Sequence, residues 1–185
     1  MVAGPADTSA GIDTLLPCRG TAAAGRRVPE APAEDAVAMA MPSFNTRVGI
    51  AIDAVRARHP QALPHRAEAT ASTGPTTTPT ALDRLRVLFR DADGTVLLAE
   101  ETGYGVFGPL RRLDTVRLQG PGLDWPVTME LSEADNRKEE AAWIDPYAAV
   151  TLRGRPGGGA EFVFTGAPGV PEVVVDTVTG EVRGG

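Results

Sequence analysis

The sequence predicts an α+β fold, with a curved antiparallel sheet packed on one main helix and an extended N-terminal arm. Three observations carry this. Short apolar runs separated by Gly, Pro and Asp recur through residues 63–183, the pattern of hairpins in series. Helical spacing is visible in only two stretches, one apolar-faced and one polar. Gly and Pro number 21 and 16 among 185 residues, too many for a helical bundle. A chain of this length holds one domain with a real core. The expected division is an arm over 1–42 and one α+β domain over 43–185.

Residues 1–42 are rich in Ala, Pro and Gly and lack periodicity, so they are expected to be disordered or docked on a partner. SFNTRVGIAIDAVRAR (43–58) is the clearest helix. Ser43 or Asn45 can accept its first orphan amides. Val48, Ala51, Ile52 and Val55 form one apolar face. Arg56 and Arg58 suit the negative end of the dipole, and Pro60 stops the helix. LPHRAEATAS follows as a strand and TGPTTTPT as a loop. LRVLFRD and TVLLAE are strands around DADG. GYGVFGP leads to a strand LDTVRL (113–118), a loop QGPGLDWP and a strand VTMEL (127–131). SEADNRKEEAAW (132–143) reads as a short polar helix, with Ser132 and Asp135 at capping-box spacing and Glu130–Glu140 as a solvated face. YAAVTLR and AEFVFTG flank RPGGG, and PEVVVD and EVR flank TVTG. Two helices and seven or eight strands result, with no repeat of fixed period.

Charge and composition exclude several functions. The formal net charge is −6 and the arginines are scattered, which argues against nucleic acid. Lys138 stands alone among 18 basic residues, an arginine bias that points to a GC-rich bacterial genome. No apolar run is long enough to span a membrane, and the first residues lack the apolar core of a secretory signal. A single cysteine, Cys18, fits a cytoplasmic chain.

The stretch DADGT (91–95) admits three readings. A calcium loop needs a bidentate Glu at its twelfth position, where this chain has Thr102. A hairpin turn is the reading favoured by Asp-Gly between two apolar strands. The stretch also resembles motif I of the haloacid dehalogenase superfamily. That resemblance implies Asp91 as nucleophile and Asp93 as general acid/base of a phosphatase, with Mg²⁺ nearby. The glycines of GYGVFGP lead into Pro109 rather than a helix, so they suit a loop and not a phosphate cradle.

Tyr104 and Phe107 in that loop, and Trp125 in the next, are the candidate contacts for a partner. His59 and His65 have no companions at metal-ligand spacing. There is no Gly-x-Ser-x-Gly elbow and no cofactor motif. If the chain is an enzyme, Glu68, Asp114, Glu130 or Glu161 with His65 would do acid–base work on a small apolar substrate in a cone-shaped pocket.

One resemblance spans more of the chain. PEVVVDTVTGEVR, through Asp176, Thr179, Gly180 and Glu181, resembles the closing hairpin of PepSY-type domains. The helix IAIDAVRARHP is similar to that family's opening helix. The resemblance implies a helix laid across an antiparallel sheet, and a role in binding or inhibiting peptidases and in regulating partners. The expected function is therefore a non-catalytic accessory protein that holds a protein partner or a second copy of itself, in part through the arm.

Overall fold

The computed structural model describes residues 41–184. The arm expected over 1–42 lies almost wholly outside the described residues. The elements run α1 (Phe44–Arg56), β1 (Leu63–Thr70), β2 (Arg84–Arg90), β3 (Val96–Gly103), β4 (Val106–Phe107), β5 (Arg111–Leu113), α2 (Leu131–Glu140), β6 (Tyr147–Gly154), β7 (Ala160–Gly166), β8 (Val173–Asp176) and β9 (Val182–Gly184). The fold is α+β, and all nine strands join one antiparallel sheet ordered β4-β3-β2-β1-β6-β7-β8-β9, with β5 also on the outer edge of β3.

The order of elements repeats. A helix, three long strands and a short edge strand occur twice, as α1–β1–β2–β3–β4 and α2–β6–β7–β8–β9. Within each set the strands add outward one at a time. The two sets meet at their first strands, where β1 runs antiparallel to β6 with Ala67 opposite Leu152 and Glu68 opposite Thr151. The chain from helix to first strand is of equal length in the two sets, 57–62 and 141–146. Each helix lies over its own half, α1 nearest β2 and α2 nearest β8.

Helix α1 starts where the sequence places it. Ser43 is the N-cap, and its Oγ accepts the Thr46 amide at 3.2 Å. Val48, Ala51, Ile52 and Val55 are all buried. Val48, Ile52 and Val55 each contribute about 1.5–3 kcal/mol by leaving water, and Ala51 less, so the apolar face rather than propensity holds the helix on the sheet. Alternating residues of the strands meet it: Ala67 and Ala69 of β1, Leu85, Val87 and Phe89 of β2, Val150 and Leu152 of β6, Phe162 and Phe164 of β7. Phe44 packs edge-on against Phe162 with ring centroids 5.7 Å apart, tying α1 to the second half.

Among the described residues no helix covers the opposite face of the sheet. It presents Arg66, Glu68, Arg84, Arg86, Arg153 and Glu161, among others, of which Glu68 pairs with Arg86 and Glu161 with Arg153 across strands. Leu88, Val96 and Leu98 also fall on it and are covered by Leu113, at the end of β5, and by Leu118 in the chain that follows.

Several sequence expectations change. The strand expected over 113–118 is only Arg111–Leu113, after which the chain turns away from the sheet. The strand expected over 127–131 does not form, because the buried Asn45 amide takes the carbonyls of Val127 (3.2 Å) and Met129 (3.0 Å) that a ladder would use. Asn45 is thus a brace and not a cap. The polar helix is not a solvated face: Leu131, Ala134, Asp135 and Lys138 are buried. Its N-cap is Glu130, with no side-chain cap bond, in place of Ser132.

Candidate functional site

One corner of the molecule combines rigidity with exposed apolar side chains. Arg47 leaves α1 and reaches the β3–β4 hairpin, where its Nε meets Glu101 Oε1 at 2.9 Å and its second nitrogen pairs with Oε2. A third guanidinium nitrogen donates to the Leu82 carbonyl at 2.9 Å. Glu101 in turn accepts the Gly105 amide at 2.6 Å. Both charged side chains are buried, and this fork-to-fork geometry with every group satisfied is what makes such a pair tolerable. The guanidinium also lies 5.5 Å from the centre of the Tyr104 ring.

The result is a hairpin tip bolted to a helix. On it Ile50, Tyr104 and Val106 are 38%, 48% and 60% exposed. A Cβ on Gly105, whose φ is +72°, would stand 3.2 Å from Ile50 Cδ1, so helix and hairpin touch here. Of the aromatics singled out in the sequence, Tyr104 is presented to solvent. Phe107 and Trp125 are half-buried and pack against the main core, Trp125 beside Gly49. Arg47 and Glu101 gave no sequence signal, since an arginine on the edge of an apolar face reads as solvated.

The acid–base candidates do not converge. Glu68, on β1, pairs with Arg86 directly opposite at 3.3 Å. Glu161, on β7, is buried and held twice, by Arg153 at 2.8 Å and Arg183 at 2.5 Å. Asp114 is exposed just beyond β5. Glu130 heads α2 in the helical layer and accepts the Ser43 hydroxyl at 3.2 Å. His65 lies in strand β1, within the stretch LPHRAEATAS that reads as a strand; it is buried, with Nε2 3.3 Å from the Gly120 carbonyl and no partner for Nδ1 among the described residues. Burial lowers its pKa, and Arg90 and Arg66 push the same way against the Gly120 bond.

The Asp91–Thr95 stretch is a hairpin turn between β2 and β3, which run antiparallel. The Asp91 amide donates to the Thr95 carbonyl at 2.9 Å, and Gly94 takes φ +83°. Asp91 accepts the Ala92 amide, and Asp93 accepts the Thr95 amide, a bond that holds the exposed Asp93 carboxyl below its usual range. Asp91 Oδ2 lies 2.7 Å from His59 Nδ1. Both carboxylates serve the turn. The phosphatase resemblance requires a nucleophile at the end of a parallel strand, and this strand turns straight back. Its other requirement, a lysine near the site, could be met only by Lys138, which is buried on α2.

That burial is itself notable. Lys138 Nζ donates to the Trp143 carbonyl at 2.8 Å, lies 3.4 Å from Asp135 Oδ1, and sits 5.3 and 5.6 Å from the ring centres of Tyr147 and Phe164. Burial pushes the Asp135 carboxyl up, against the pull of Lys138. It also pushes the Tyr147 phenol up, helped by the Asp135 charge. The adjoining void has room for about 10 Å³, no more than one water, so the cluster is a support and not a substrate site. No group of three or more metal-ligating side chains occurs among the described residues, and no helix there is long and apolar enough to cross a membrane.

No family model matches the chain, and no curated protein matches it. Among solved structures it is similar to a crystal structure from Clostridium difficile 630 described as a "putative lipoprotein". The two share 14% identity over 73% of this chain and 90% of that one, with a TM-score of 0.51. At that identity the likeness concerns the fold alone.

Proposed function

We propose that the chain is a non-catalytic binding protein that holds a protein partner at the corner formed by Ile50, Tyr104 and Val106. The observation that carries this reading is the grouping of three exposed apolar side chains on a hairpin that a buried ion pair fixes to α1. A preformed apolar contact loses little entropy on binding, and aromatic anchors at such positions supply much of an interface's affinity. The scatter of the candidate acids weighs against acid–base catalysis.

The PepSY resemblance fits this reading in a specific form. One such unit is too short to hold both the helix over 46–58 and the hairpin over 172–183. Two units in tandem hold both: the helix opens the first and the hairpin closes the second. In that hairpin Asp176 Oδ1 accepts the amides of Val178 (2.8 Å) and Thr179 (3.0 Å), and Gly180 takes φ +72°. We propose a tandem of PepSY-like units that regulates its partner by occupancy.

The test is size-exclusion chromatography with light scattering on the full chain, purified gently from its host, beside Tyr104→Ser/Val106→Asp. The expected result is a complex or oligomer for the natural chain and its loss in the variant, with circular dichroism unchanged. A natural chain that elutes as a bare monomer, or a variant that keeps the same complex, removes this reading.

A further inference from the structure

The helix-free face holds a cleft of about 540 Å³ where the chain between β5 and α2 rises over the ends of β1 and β6. Among the described residues its walls include Arg66, Arg117 and Arg153, with Val116, Leu118 and Pro121 beside them. Arg66 and Arg153 are directly opposite each other on β1 and β6. Like charges at that spacing cost stability unless something lies between them. The one carboxylate among these walls is Glu161, already shared by Arg153 and Arg183. Neither Arg66 nor Arg117 forms an ion pair among the described residues. The cleft is therefore a concentration of positive charge in a chain whose net charge is −6.

The wall is built and not incidental. The Leu118 carbonyl accepts from Arg90 at 2.7 Å, and the Leu123 amide donates to Pro64 at 2.9 Å. A Cβ on Gly154 would collide with the Gly122 carbonyl, so this glycine allows the loop to lie flat on β6. The volume is that of a small-molecule site rather than of a lone ion.

We propose that this cleft binds an oxyanion, a carboxylate or a phosphate, carried on a compact organic molecule with an apolar body. Guanidinium groups offer two parallel N–H donors to either group, and Val116, Leu118 and Pro121 receive the apolar part. The site stands apart from the Ile50–Tyr104–Val106 corner, so Tyr104→Ser/Val106→Asp leaves its affinity unchanged and failure of either reading is seen separately.

The experiment is calorimetric titration of the full chain with benzoate, with phenyl phosphate and with inorganic phosphate. Saturable binding of an aromatic oxyanion is expected, weaker for inorganic phosphate, and the preferred titrant tells carboxylate from phosphate. Arg66→Gln and Arg117→Gln each weaken it about tenfold or more, since each removes a charged hydrogen bond. Arg111→Gln, whose partner is Glu100 at 2.9 Å, leaves it unchanged. The His65 ring resonances shift on binding in the natural chain, because the imidazole lies against the same cleft. Arg117 is exposed on a loop, so its variant folds. Absence of saturable binding with both aromatic probes, or natural affinity in both arginine variants, overturns the proposal. Equal affinity for inorganic phosphate overturns the apolar part of it.

Discussion

The two helices bury four residues at one shared spacing and fill it differently, α1 burying Phe44, Asn45 and Arg47 besides. On α1 the face is Val48, Ala51, Ile52, Val55; on α2, at identical spacing, it is Leu131, Ala134, Asp135, Lys138. The alanine in second place is fully buried in both. The last two apolar residues of the first half are replaced in the second by an ion pair. Spacing, and not polarity alone, marks the face that packs. A charged pair can occupy it when the buried cation is satisfied, as Lys138 is by Asp135, the Trp143 carbonyl and two aromatic faces, although the Asp135 Oδ1 beside it has no hydrogen-bond partner among the described residues.

The largest effect is expected where that substitution of charge for hydrocarbon is broken. Lys138→Met leaves Asp135 buried with no cation and should cost about 3–5 kcal/mol near neutral pH. The loss should depend on pH in a defined direction. Burial already raises the Asp135 pKa, and losing Lys138 raises it further. A carboxyl raised in the folded state favours folding below its unfolded pKa and loses that contribution as pH rises through the folded value. The variant should therefore be nearest to the natural chain at about pH 4 and furthest from it at about pH 7 in urea unfolding. Adding Asp135→Leu should recover most of the loss. An equal loss at both pH values would mean that Lys138 matters only for packing.

The matching change in the first half sharpens the contrast. Ile52→Val removes one methylene from a side chain that is 1% exposed and should cost about 0.5–1.5 kcal/mol. No charge is uncovered, so the same urea experiment should give the same loss at both pH values. A pH-dependent loss here would mean that α1 leans on a titrating group, and the two halves would differ less than their residues do.

This difference also explains what the sequence disclosed. Helix α1 was legible because period and polarity agree along Val48–Val55. The hairpins were legible from DADG, RPGGG and TVTG, where local turn chemistry suffices. Helix α2 was located, but its buried face was not, because Asp135 and Lys138 look solvated until Tyr147 and Phe164 are folded over them. The repeated order of elements was invisible for the same reason: equivalent positions carry Ile52 and Asp135, Val55 and Lys138. The bolt between Arg47 and Glu101, and the facing of Arg66 and Arg153, depend on strand order, which no local pattern encodes.

The smallest effect belongs to the stretch whose chemistry looked most suggestive. Asp91 is linked to His59 at 2.7 Å, with their side chains 19% and 32% exposed. A side-chain hydrogen bond so accessible contributes well under about 1 kcal/mol. Asp91→Asn keeps an oxygen that can accept the Ala92 amide and leaves Gly94 at its positive φ, so the turn survives. The variant should unfold within about 0.5 kcal/mol of the natural chain. Any hydrolysis of p-nitrophenyl phosphate by the full chain should be unaltered. A large fall in such hydrolysis with stability unchanged would restore Asp91 as a nucleophile, and would turn the comparison from one between two ways of holding a helix into one between a binding half and a reactive half.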